Sequence, residues 1–189
     1  REFLIMATFI MLPDGVTGTN NWQNYGGGTA DHTLVDDDTF VGGSYIYETM
    51  INGVVTFTMA DPSVAEEDID TINHVTVKLK AHYTNTTGQS PPETKTLDVQ
   101  QASGIYTQPS DTHTVTNSVY PLYTGASAQY WHHTAAWTYA SLGDLQVELK
   151  LTQGARRFEY LRVSYIYAEV DYDPAAVEAD NATFFGANF

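Results

Sequence analysis

The chain has 189 residues, no cysteine, 42% hydrophobic residues and a formal net charge of −15, from 23 acidic against 8 basic side chains. The lack of Cys excludes a disulfide scaffold and a Cys-ligated zinc site. A field of this sign repels phosphate backbones and anionic bilayers, so neither nucleic acid nor a membrane is an expected partner.

The length fits one domain with extensions, and the apolar fraction is enough for a core. Residues 3–12 (FLIMATFIML) are apolar but shorter than the roughly 20 residues of a spanning helix. They also lack the basic leader and small-residue cleavage site of a signal peptide. Met6 followed by Ala7 and Thr8 looks like a natural start, with residues 1–5 upstream of it, and residues 7–12 read as the first strand.

Residues 13–33 are loop-like. Pro13-Asp14-Gly15, Asn20-Asn21 and Gly26-Gly27-Gly28 supply turn backbone, and Trp22 and Tyr25 are expected to anchor the loop to the edge of the fold. Residues 44–50 (SYIYETM) and 54–60 (VVTFTMA) read as strands joined by an Asn52-Gly53 hairpin turn, since Asn-Gly between β-rich runs is a strong hairpin signal. Residues 61–70 read as a loop or a short helical turn.

From residue 74 to 83 the pattern has period two. Val75, Val77, Leu79, Ala81 and Tyr83 point one way, and His74, Thr76, Lys78, Lys80 and His82 the other. Residues 144–152 repeat it, with Leu145, Val147, Leu149 and Leu151 against Gln146, Glu148 and Lys150. Alternation of this kind means a sheet with one dry and one wet face, and two such sheets stack their dry faces together. Residues 94–101 and 111–119 also read as extended. Residues 121–137 are irregular and rich in Tyr and His, and residues 137–142 (WTYASL) form a short helical turn with Trp137 buried.

The last strand, residues 159–173, is apolar on both sides. Leu161, Val163, Tyr165 and Tyr167 form one row, and Ile166, Ala168 and Val170 the other. Either it lies centrally with something packed on each face, or a bulge switches its inner face partway. Glu169 and Asp171 mark the exit of the first row from the core. The expectation is an all-β, antiparallel two-sheet sandwich over residues 1–174, followed by an extension over residues 175–189.

No catalytic set stands out on this scaffold, and we expect a non-enzymatic protein. Asp36 and Asp38, in the run Asp36-Asp37-Asp38-Thr39, are the candidates for a Ca²⁺ site, because adjacent carboxylates and carbonyls can supply its oxygens. A solvated acidic turn is the favoured reading. His132 and His133 are adjacent, so in an extended segment their rings diverge. A nucleophile elbow of the Gly-x-Ser-x-Gly kind is absent. Glu48, Glu148, Glu159 and Glu169 sit in strand-like segments, where only coordinates give their separations. Tyr130 and Trp131, close to Trp137 and Tyr139, are candidate interaction residues, since aromatic platforms stack on sugars and anchor protein interfaces.

Taken in order, several segments resemble a known arrangement. They are Asn21-Trp22 with its Gly-rich loop, Asp36-Asp37-Asp38-Thr39, Ser44-Tyr45-Ile46, 54–62 (VVTFTMADP), 72–83, 137–142 and 162–172 (RVSYIYAEVDY). Over residues 8–173 the chain is similar to a diffuse group of β-sandwich proteins encoded among virion genes of tailed phages, related in style to carbohydrate-binding, jelly-roll-like modules. The resemblance implies a jelly-roll-like sandwich at the virion surface, an extracellular setting. Its first reading is a head decoration protein, and its second a tail or fibre accessory. It also implies a homo-oligomer such as a trimer, docked on the major capsid protein or another virion protein, and no catalytic residues. A carbohydrate-binding module that recognises surface glycans is the alternative.

The extension carries Phe184, Phe185 and Phe189, which read as an arm packing on a neighbouring subunit or on the shell, because apolar patches tend to be covered. Deletion of residues 175–189 is therefore expected to weaken assembly on size-exclusion chromatography while leaving the thermal midpoint of the sandwich unchanged.

Overall fold

The structure, a computed structural model, describes residues 6–24, 27–36, 45–48, 52–85, 95–101, 111–115, 122–124, 136–152 and 159–176. Its strands in chain order are β1 (Ala7–Met11), β2 (Pro13–Thr17), β3 (Gln23–Asn24), β4 (Ile46–Glu48), β5 (Val54–Met59), β6 (Ile69–Asn85), β7 (Lys95–Gln101), β8 (Asp111–Val115), β9 (Leu122–Thr124), β10 (Gln146–Leu151) and β11 (Glu159–Pro174). One short helix, α1 (Tyr139–Gly143), precedes β10. The first sheet has the order β3-β4-β11-β6-β9, with β1 also paired to β11; the second has the order β2-β5-β10-β7-β8. Among the described residues every pairing is antiparallel.

From β4 onward the pairing nests about one hairpin. β7 pairs with β8, β6 with β9, β5 with β10 and β4 with β11. Such a set is one long antiparallel ribbon rolled on itself, and the roll is closed by the β7–β10 and β6–β11 pairings. The result is an eight-strand jelly roll, the all-β two-sheet sandwich expected from the alternating pattern. The segment before it lines both sheets. β1 joins the first and β2 the second, and the chain changes sheet at Leu12.

The dry faces meet in a single core. Val55, Phe57, Val99, Val147, Leu149 and Leu151 from the second sheet pack with Val75, Val77, Leu79, Ile166, Ala168 and Val170 from the first. A fully buried side chain of this size contributes about 1.5–3 kcal/mol, so the seam between sheets is the main source of stability. α1 closes one end. Its Thr138–Ser141 capping box satisfies the first-turn donors, and Trp137, Leu142 and Leu145 are buried beneath it.

β11 resolves the two-sided pattern through a bulge. Val163 is opposite Ala81 and Tyr165 is opposite Lys80, so Ser164 is the extra residue. Leu161 and Val163 point inward before it, and Ile166, Ala168 and Val170 after it. One added residue reverses the facing of everything beyond it. Tyr165 and Tyr167, in line with Leu161 by simple alternation, consequently leave the core.

Three local expectations need correction. Asn52-Gly53 is not a β-hairpin turn, because β4 and β5 lie in different sheets and do not pair. It is a corner between sheets. Asn52 has the left-handed φ of 64° that Asn tolerates, its N–H donates to Leu151 O at 2.7 Å, and Leu151 N–H donates to Gly53 O at 3.1 Å. A Cβ at Gly53 would meet the Glu48 side chain, which would have to move to admit it. The 13–33 segment, read as loop, contains β2 and β3, and the irregular 121–137 segment contains β9. These strands are short, and β2 carries Pro13 and Gly15, so propensity does not reveal them; pairing to longer neighbours holds them extended.

Trp22 sits deeper than an edge anchor. It is fully buried, and its indole N–H donates to Gly53 O at 3.1 Å. The asparagines around it fasten the loop. Asn20 bonds Ala30 O and Trp22 N, Asn21 bonds Val54, and Asn24 Oδ1 accepts from Asp31 N.

Urea unfolding is expected to show Trp22→Ala losing about 3–5 kcal/mol through the cavity it leaves. Trp22→Phe should lose less, about 0.5–1.5 kcal/mol, because the Gly53 carbonyl gives up the indole donor but keeps Leu151 N–H. Ser164→Ala should run the other way. The Ser164 hydroxyl is buried without a hydrogen-bond partner among the described residues, so its removal is expected to leave stability unchanged or raise it by up to about 1 kcal/mol.

Candidate functional site

Beyond the Ser164 bulge, β11 turns Tyr165, Tyr167, Glu169 and Asp171 to the outer face of the first sheet. The antiparallel register sets Lys80, Lys78, Thr76 and His74 of β6 directly opposite them. Residues facing each other across such a pair interact, and here the pairs are aromatic–cation and acid–cation. Lys78 Nζ is 2.7 Å from Glu169 Oε1 and 5.9 Å from the Tyr167 ring centroid. Lys80 Nζ lies 5.9 Å from the centroid of Tyr165, and the Tyr165 and Tyr167 rings are 4.9 Å apart. His74 Nδ1 is 4.0 Å from Asp171.

Before the bulge, Arg162 faces the same way. Its guanidinium carbon is 4.6 Å from the centroid of Tyr45, which is buried, and its register neighbours are His82 on β6 and Tyr47 on β4. Tyr47 donates its hydroxyl to Gln23 Oε1 at 2.7 Å. The face is thus a stripe of tyrosine rings interleaved with Lys78, Lys80 and Arg162, drawn from a total of eight Lys and Arg in a chain of net charge −15. Its side chains lie against one another, so the stripe is held in shape before anything meets it. Cations over ring faces and fixed phenol hydroxyls suit recognition of a surface.

The stripe was partly legible. Lys78 and Lys80 fall in the wet row of their strand by alternation alone. The tyrosines required the bulge, and the signal for it is the polar Ser164 inside an apolar run that ends in Glu169 and Asp171.

Of the residues singled out from sequence, Glu169 lies on the stripe. Asp36 is half-buried just after a 3-10 turn (His32–Leu34) whose N-cap, Asp31, accepts from Thr33 N at 3.1 Å. In the same segment Val35 O accepts from Ile166 N at 3.0 Å, which fills the gap along β11 between its β4 and β1 partners. Asp38, Tyr130, Trp131, His132, His133, Phe184, Phe185 and Phe189 lie outside the described residues. Among the described residues no three His, Asp or Glu side chains gather as a metal site, and no helix is long and apolar enough to cross a membrane. Glu48 is buried beside Gly53, Glu148 is on the outer face of the second sheet, and Glu169 is on that of the first. These three carboxylates do not converge.

Compared with known proteins, the sequence matches no family model and no curated protein.

Lys78 and Glu169 are the shortest ion pair on the stripe, and both are partly exposed, at 18% and 31%. A double-mutant cycle with Lys78→Ala and Glu169→Ala is expected to give a coupling of about 0.5–1 kcal/mol, smaller at high salt.

Proposed function

We propose that the chain is a non-enzymatic structural component of a tailed-phage virion, a decoration or cement protein that docks on the capsid shell and on copies of itself. The observation that carries this reading is the tyrosine stripe with Lys78, Lys80 and Arg162 on the outer face of β6 and β11. Tyr and Arg are the residue types most enriched where protein interfaces concentrate their binding energy. Their placement on the two longest strands gives them a stiff backing, so little ordering entropy is lost on docking.

Charge supports the same assignment. Against a background of −15, Lys80 and Arg162, beside a Lys78 already paired with Glu169, make this face less acidic than the chain as a whole, which lowers its repulsion of an acidic partner surface. The jelly-roll topology is shared by capsid and lectin domains, which agrees with the resemblance noted in the sequence but does not by itself choose a function. On this reading the protein works at the virion surface as a symmetric oligomer, with the major capsid protein or a neighbouring virion protein as its partner. The alternative of a glycan-binding module built on Trp131 and Tyr130 depends on residues outside the described set.

The test is reconstitution. Purified protein is added to shells that lack it, and bound protein is measured after sedimentation. Saturable binding is expected, with Arg162→Ala and Tyr165→Ala each weakening it at least about tenfold while the unfolding midpoint stays near that of the parent. Absence of the protein from purified particles by mass spectrometry would sink the virion assignment.

A further inference from the structure

On the far side of the sandwich, a groove of about 460 Å³ opens over β2, β5 and β10. It is lined by Thr17, Thr19, Asn21, Thr56, Gln146 and Glu148, together with Gly18, Asn52 and Val54. Its size falls among small-ligand sites, about 300–1,000 Å³, but its chemistry differs from most of them. Val54 is the one apolar side chain in the lining.

Register explains why the polar groups are fixed. Thr56, Glu148 and Gln100 stand side by side across β5, β10 and β7. Thr56 Oγ1 donates to Glu148 Oε2 at 3.4 Å, and Gln100 Nε2 donates to Glu148 Oε1. The carboxylate is thereby held from both sides, and of its roughly four acceptor positions two remain for a ligand. At the wall, Asn21 N–H donates to Val54 O at 2.8 Å and its Oδ1 accepts from Val54 N at 3.4 Å. That turns its amide NH₂ to use as a donor. Gly18, on the rim, has φ of 66°, and a Cβ added there would meet no neighbour.

We propose that this groove binds a short neutral oligosaccharide. Sugar hydroxyls both donate and accept, which matches a lining of hydroxyls, amides and one oriented carboxylate. Anionic ligands are disfavoured by Glu148 and by the net charge of −15. Apolar ligands find a single valine. The proposal is separate from docking, which uses the opposite sheet, so either can fail without the other.

The experiment is titration of ¹⁵N-labelled protein with maltotriose, cellotriose, mannotriose and triacetylchitotriose, followed by a sulfated disaccharide and spermidine. At least one neutral trisaccharide is expected to shift the amide signals of Thr19, Asn21 and Gln146. Glu148→Gln should weaken that binding about tenfold through loss of a charged acceptor. Thr19→Trp, at an exposed rim position, should abolish it with the rest of the spectrum native. The proposal is overturned if no neutral trisaccharide moves these signals. Stronger shifts from spermidine or the sulfated sugar overturn it too, as does unchanged affinity in both variants.

Discussion

Ser164 is the residue that β11 inserts at the first of three register shifts in its ladder with β6, and much of the molecule is arranged by that fact. Side chains in a strand alternate strictly, so a single added residue exchanges inside for outside along everything that follows. Without the bulge, Tyr165 and Tyr167 would continue the row of Leu161 and Val163 into the core, and Ile166, Ala168 and Val170 would face solvent. With it, the apolar residues of both halves of β11 reach the same core and the tyrosines line the surface with Lys78 and Lys80. Packing and the surface stripe are therefore two results of one local irregularity. The segment around Val35 completes the arrangement, since its carbonyl occupies the stretch of β11 that neither β4 nor β1 reaches.

The second constraint lies at the corner between β4 and β5. A rolled ribbon must carry its chain from sheet to sheet, and each crossing exposes backbone groups that no ladder satisfies. Here Asn52 enters a left-handed conformation, Gly53 gives way to the Glu48 side chain, and Trp22 fills the space beneath while bonding the Gly53 carbonyl. Asn20, Asn21 and Asn24 satisfy the neighbouring loop backbone. A segment with the composition of a flexible loop is thus a fixed part of the sandwich, and it also forms one wall of the groove on the second sheet.

The two outer faces carry different chemistry for a structural reason. On the first sheet, long strands set rings and cations in register, which favours a broad contact with another protein. On the second, Thr56, Glu148 and Gln100 form a polar row beside the rim at Gly18, which favours a small hydroxylated ligand.

Alternation in residues 74–83 and 144–152 was sufficient to establish strands, their inner faces and hence a two-sheet sandwich, because period two is a local property that burial imposes directly. The same is true of buried Trp137, of the short helical turn after it, and of the choice left open for β11. Which strands pair was not local. Asn52-Gly53 carries a hairpin signature, yet its flanking strands belong to different sheets, and β2, β3 and β9 exist only because longer strands lie beside them. The tyrosine stripe and the groove share that origin. Tyr165 meets Lys80, and Glu148 meets Thr56 and Gln100, across sequence separations that only the rolled ribbon closes. The sequence by itself determined which side chains must avoid water; the tertiary pairing, through the Ser164 bulge and the Asn52-Gly53 corner, decided which of the remainder stand together.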